Sequence, residues 1–168
     1  MIYIEESGMR FGPFDEQEVY HIEKSQIYQE LQHKLQMAEF LLMRNNKTVW
    51  IVEAKSSSPN PENQASKIQF DEYIENISEK LVNALTLTVS ILLNRQGNAI
   101  NDIPKCFSEG IFTNCSIKMI VVVNGHRNEW MNEIQDAISQ QLYTQSKVWR
   151  FDIAAINDAT AKEINLIA

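Results

Sequence analysis

Two charged residues close an otherwise apolar run, and chemistry is most readily built there. Val49-Trp50-Ile51-Val52 leads into Glu53-Ala54-Lys55. Side chains alternate along a strand, so Glu53 and Lys55 share one face and Ala54 takes the other. A carboxylate and an ammonium at the end of a buried strand are costly unless they pair or serve a site. Taken alone, the tripeptide reads as a salt-bridged strand terminus. Three other features add to it. Glu39 lies within Met37-Ala38-Glu39-Phe40, among apolar neighbours where a carboxylate is not expected. If its segment pairs with the Glu53 strand, the two carboxylates lie close and repel, and a shared Mg²⁺ or Mn²⁺ would relieve that repulsion. Gln69 and Tyr73 stand at i and i+4 of the next helical pattern and face one way. Glu23 falls on the same face as Tyr20, Ile27 and Leu31 of an earlier helical pattern, as an inward-pointing carboxylate would.

These residues need elements to position them. Met1–Glu5 and Met9–Phe14, joined by Glu6-Ser7-Gly8, read as a hairpin. A helix is expected from Asp15 to about Leu31, its acidic start suited to the helix dipole. Leu35–Met43 and Thr48–Ala54 are strand-like and joined by Arg44-Asn45-Asn46-Lys47, which predicts an antiparallel pair. Ser56-Ser57-Ser58-Pro59-Asn60-Pro61 is a loop. From about Glu62 to Asn94 a long helix carries the stripe Ile74, Ile77, Leu81, Leu85, Thr88 and Leu92. Gln96–Ser116 is irregular, Ile117–Val123 a buried strand, and Asn124-Gly125-His126-Arg127 a turn. Arg127–Tyr143 is an amphipathic helix through Trp130, Ile134, Ile138 and Leu142. Val148–Ile156 is a last strand, and Ala159–Ile167 a terminal helix with Asp158 as N-cap. The mixture predicts an α/β sandwich around a mixed sheet.

Composition sets outer bounds. At 168 residues, 44% hydrophobic and 22% charged, the chain fits one globular domain that buries a core without disulfides. Cys106 and Cys115 lack zinc-ligand spacing and read as two semi-buried thiols. The start of the chain shows neither a basic region nor an apolar one, as a secretory signal would. Thr86–Leu93 is the nearest approach to a membrane span and is too short. The expectation is therefore a soluble cytoplasmic protein without membrane contact. A net charge of −7 sits awkwardly with DNA held by phosphate neutralisation alone. An acidic metal cluster contributes to that charge, and a partner subunit can supply a basic surface.

A helix, a hairpin with Glu39 on one strand and Glu53-Ala54-Lys55 on the next, then a helix and a strand: this order resembles the PD-(D/E)xK nuclease superfamily. Gln69-Phe70-Asp71-Glu72-Tyr73 is similar to the Q-x-x-x-Y helix motif of its RecB-like/Cas4-like branch. The shared core would span about Asp15 to Val123. Two departures stand out. Ala38-Glu39 replaces the usual Pro-Asp, and the first-helix acidic or histidine motif has only Glu23, or secondarily His21, as a candidate. The resemblance implies a single restriction-endonuclease-like domain over residues 1–168, with a mixed central β-sheet flanked by helices. It implies hydrolysis of DNA phosphodiesters with Mg²⁺ or Mn²⁺ held by Glu39, Glu53 and the Ala54 carbonyl. Lys55 would then orient or activate water, and Gln69, Tyr73 and Glu23 would position the site or the substrate. A homodimer is the expected assembly for a double-strand cut. The other class of function is a catalytically inactive nuclease-fold subunit that binds or assembles with another protein.

Other chemistries find less support. His21, His33 and His126 are scattered and read as surface or capping residues. With five glycines, there is neither a phosphate-cradling loop nor a G-x-S-x-G elbow. Trp50 and Trp130 fit core stripes better than base-stacking platforms. Lys67, Lys80 and Arg95 share the long helix with Asp71, Glu72, Glu75 and Glu79, and read as a solvated face.

Overall fold

A computed structural model describes residues 1–31 and 35–168, so the His33 expectation lies outside the described residues. β1 (Ile2–Glu6) and β2 (Met9–Phe14) form the expected hairpin. Its two-residue turn, Ser7-Gly8, has both φ angles positive (53° and 75°), the hand that matches strand twist. A second antiparallel hairpin joins β4 (Phe40–Arg44) to β5 (Thr48–Lys55). Asn45 and Asn46 take the left-handed conformation in its connection, which asparagine tolerates better than most residues.

β3 (Val19–Tyr20) pairs antiparallel with β4, while β6 (Ser116–Val123) and β7 (Phe151–Asn157) run parallel to β5. The result is a five-stranded mixed sheet in the order β3-β4-β5-β6-β7. The parallel step from β5 to β6 needs a long crossover, and α2 (Lys67–Leu92) supplies it. All six residues of the predicted α2 stripe are buried. α4 (Asn128–Gln141) packs beside it on the same sheet face.

Alternation along the central strands sorts the two cores. Val49 and Ile51 of β5, with Met119 and Val121 of β6, face the helices. Val52 and Ala54, with Ile120 and Val122, face the hairpin and α6 (Asp158–Glu163). The second face is therefore covered by a β-hairpin and one short helix, whereas the resemblance implies a central sheet flanked by helices.

Several boundaries differ from expectation. The strand expected from Leu35 begins only at Phe40, which leaves Glu39 just before it. The terminal helix expected over Ala159–Ile167 covers Asp158–Glu163. Asp15–Leu31 is not one helix: β3 occupies Val19–Tyr20, a 3₁₀ turn follows at Ile22–Lys24, and α1 covers only Gln26–Leu31. The sheet edge claims the first part, since the Met43 amide donates to the Glu18 carbonyl. Ser25 then starts α1 by accepting the Tyr28 amide on its hydroxyl. Between Gln96 and Ser116, the irregular run contains the single-turn α3 (Glu109–Phe112). The expected strand from Val148 begins instead at Phe151, because α5 (Tyr143–Trp149) continues to a left-handed Arg150 that ends it. Val148 and Trp149 are β-formers by type but lie exposed. At α6 the N-cap is Asn157, which accepts the Thr160 amide, whereas Asp158 accepts the Gly125 amide. Among the described residues, no helix is long and apolar enough to cross a membrane.

Leu81 is fully buried on α2, so Leu81→Ala leaves a void that neighbours fill only in part. The expected cost is about 2–5 kcal/mol, read as a lower urea midpoint at unchanged slope. A loss below roughly 0.5 kcal/mol, the range of ordinary surface changes, would contradict this packing.

Candidate active site

The end of β5 meets the middle of α2. Glu53 points from β5 toward the helix and is 0% exposed. Its Oε1 receives two ammonium groups, Lys55 Nζ at 2.9 Å and Lys80 Nζ at 3.0 Å. Its Oε2 is buried and has no hydrogen-bond partner. Lys55 is held a second time by Asn76 Oδ1 at 3.2 Å. Asn76 in turn donates to Gln36 Oε1, and Asn83 to the Gln36 carbonyl, fixing the chain that leads into β4.

Glu39 lies at that entry, between fully buried Ala38 and Phe40. Its amide donates to the Val52 carbonyl, one residue from Glu53, and its own carbonyl accepts the Glu23 amide. The side chain is 7% exposed, with Oε1 3.9 Å from Lys80 Nζ. Glu39 Oε2 also has no hydrogen-bond partner other than a carboxyl proton shared with Glu23. Lys80 thus lies between Glu39 and Glu53 and contacts both. On its far side Glu39 joins Glu6, His21 and Glu23, each offering a ligand atom within 4.8 Å of the others.

Most of the residues singled out by sequence come together here. Glu39, Glu53 and Lys55 share one site, and Glu23 and His21 flank it, although from a 3₁₀ turn and the residue before it. Tyr73 leans in from α2, with a buried hydroxyl that has no hydrogen-bond partner and a pKa raised by burial and by the Glu53 charge. The Ala54 side chain packs on the opposite face, and its carbonyl accepts Ser7 Oγ at 3.0 Å. Gln69 does not join the cluster and stays exposed to solvent. Lys80 corrects the solvated-face expectation, since its side chain is 15% exposed and paired. His126 is not free either: its Nε2 accepts the Ser58 amide at 2.9 Å, tying the serine loop to the turn after β6.

Sequence reasoning missed Glu6, Ser7 and Asn76, and misplaced Lys80. The last two carried a signal, because continuing from Gln69 and Tyr73 at helical spacing reaches Asn76 and then Lys80 on one stripe. Glu6 and Ser7 carried none, since only the docking of the hairpin turn on β5 and β6 brings them in. That docking uses the Ser7 hydroxyl and a hydrogen bond from Asn124 Nδ2 to the Ser7 carbonyl.

Electrostatics follow from burial. Loss of solvent, a hydrogen bond shared with Glu23 and the nearby Glu53 charge push Glu39 up to about 9, against the opposing pull of Lys80. Burial also raises Glu53, opposed by Lys55 and Lys80. His21 is lowered, first by burial and then by Lys24, with Glu6 opposing. For Lys80, burial works against the charge, but the carboxylates outweigh it and its pKa is raised. Apart from that shared proton, Glu39 Oε2 and His21 Nε2 are without a hydrogen bond, and with Glu6 and Glu23 they belong to a set that a divalent cation fits. Glu53 lies outside that set, joined to Glu39 through Lys80. Cys106 and Cys115 stand outside it as free thiols. Burial pushes Cys106 up to about 12, leaving it a poor nucleophile.

The raised carboxylates set a pH dependence. Folded Glu39 keeps its proton up to about pH 9, whereas its ordinary value is 4.5. Between those values the folded state binds more protons, so stability is greatest at the acid end and falls as pH rises. In metal-free buffer the urea midpoint is expected to decline across that window, and Glu39→Gln to flatten the decline. Equal slopes for wild type and variant would show that Glu39 titrates normally. Comparison of the chain with family models, with curated proteins and with solved structures gave no match.

Proposed function

We propose that this chain is a divalent-metal-dependent nuclease of the PD-(D/E)xK kind, hydrolysing phosphodiester bonds of DNA. One observation carries the reading: Glu39 and Glu53 converge on a single buried point, each with a carboxylate oxygen lacking a donor, while Lys55 stands on the same strand face. A strand-end salt bridge accounts for Glu53 and Lys55 alone. It does not account for a second buried carboxylate and an acidic cluster beside it.

In this reading Glu39 and Glu53 would hold Mg²⁺ or Mn²⁺ with the Ala54 carbonyl, which also accepts Ser7 Oγ. Glu23, His21 and Glu6 supply further donors around Glu39. When bound, the ion would draw charge from the phosphate and acidify water. Lys55, anchored by Asn76, is preorganised to orient the attacking water and to stabilise negative charge as it develops. Tyr73 offers a buried hydroxyl to the same pocket. Exposed Gln69, one turn earlier on α2, suits a contact to the substrate backbone. Asp71 and Glu72 beside it would repel DNA, so a basic surface from a second copy or another protein is part of the proposal.

A specific observation favours a second reading. Lys80 already neutralises the carboxylate pair as a built-in cation, as expected of a nuclease-fold subunit that no longer binds metal and serves assembly instead.

A cleavage assay on single- and double-stranded DNA with Mg²⁺ or Mn²⁺ separates the two. Metal-dependent cutting is expected, reduced roughly 100-fold or more in Glu53→Gln and in Lys55→Ala, with both variants still melting cooperatively. A folded wild type that neither cuts nor gives a calorimetric signal with either ion would sink the nuclease reading and favour the assembly one.

A further inference from the structure

We infer that Lys80 is the resident counter-cation of the Glu39–Glu53 pair, and that a divalent ion enters this site only by displacing its ammonium group. The inference rests on the metal-binding reading above and adds to it a competition built into the chain.

Lys80 occupies the place between the two Oε1 atoms that an ion bonded to both would need. Lys80 Nζ stands 3.0 Å from Glu53 Oε1 and 3.9 Å from Glu39 Oε1, in contact with both oxygens that an ion shared through Oε1 would use. A divalent ion bonds carboxylate oxygen at about 2.0–2.6 Å, so an ion touching both residues would press against the ammonium and be repelled by it. Of the two lysines on Glu53, Lys80 is the one able to leave. Lys55 is tied to Glu53 and also to Asn76 Oδ1. The ammonium of Lys80 is held only by the two carboxylates, among the described residues, at the tip of a flexible four-carbon stem.

The arrangement also explains how buried Glu53 stays charged beside Glu39 without metal. Removing one partner of a buried ion pair ordinarily leaves an uncompensated charge, and here the chain carries its own replacement. Metal binding therefore exchanges one counter-ion for another. The released ammonium lies on the same stripe of α2 as Tyr73.

The test is calorimetric titration of metal-stripped protein with Mn²⁺, comparing wild type with Lys80→Met and Lys80→Gln. Both variants are expected to bind about 10-fold more tightly or better. Their melting temperatures should be lower than wild type in chelator and rise more on adding Mn²⁺. Equal affinities in wild type and variants overturn the role of Lys80 and leave the metal reading standing. Binding by the variants alone supports the inference and places wild type in the metal-free class. Binding by none overturns both. Should the variants fail to fold, amine labelling of wild type read by mass spectrometry decides. Lys80 is expected to be protected without Mn²⁺ and labelled with it, while Lys55 stays protected in both; unchanged Lys80 labelling under saturating Mn²⁺ refutes displacement.

Discussion

A carboxylate with no access to solvent must be matched by positive charge or keep its proton, and Glu53 is matched twice over. Both ammonium groups converge on one of its oxygens, one arriving from two residues along the same strand and one from the helix across the sheet. Moving α2 by one turn along the sheet would take Lys80 and Asn76 away together and leave Glu53 and Lys55 unsupported. The apolar stripe of α2 sets which face of the helix is buried, and this polar contact sets how far along the strand it stops. Nonpolar packing is tolerant of sliding, whereas a buried ion pair is not. The position of the crossover helix thus depends on a handful of polar atoms at the strand end.

Much of this was legible from the residues alone, and for a physical reason. Central strands such as Val49–Val52 and Ile117–Val123 announce themselves because burial on both faces excludes polar side chains, which makes Glu53 and Glu39 conspicuous as exceptions. The α2 stripe was legible because a long helix repeats its period several times. The first helix was misread because Tyr20, Ile27 and Leu31 fit a helical period by chance while the sheet edge took Val19–Tyr20 into a ladder. Lys80 was misread because charges elsewhere on α2 are solvated, and composition does not say which of several lysines faces inward. Glu6 was invisible in principle: its place depends on the turn of a separate hairpin lying on the ends of β5 and β6.

The two faces of the sheet contribute different things. The helical face brings Lys80, Asn76 and Tyr73, residues that hold, neutralise or line the carboxylates. The hairpin face brings Glu6 and the Ser7 hydroxyl around the strand ends, so it adds donors as well as covering the core. The acidic cluster is therefore assembled from both layers, and Glu39 is the residue common to both halves.

The hairpin is itself held from the far end of the sequence. Gly12 donates its amide to the Leu166 carbonyl, Ala168 donates to Arg10, and Phe11 bridges to Ile167. Glu6 and Ser7 precede the sheet carboxylates in the chain, yet β2, the strand that follows them, has its outer edge closed by residues made long afterwards. During synthesis the carboxylates of β4 and β5 exist well before the clasp that seats the Glu6 turn beside them. A partly made chain accordingly carries an incomplete site, and the donor set is completed only when the two distant segments meet.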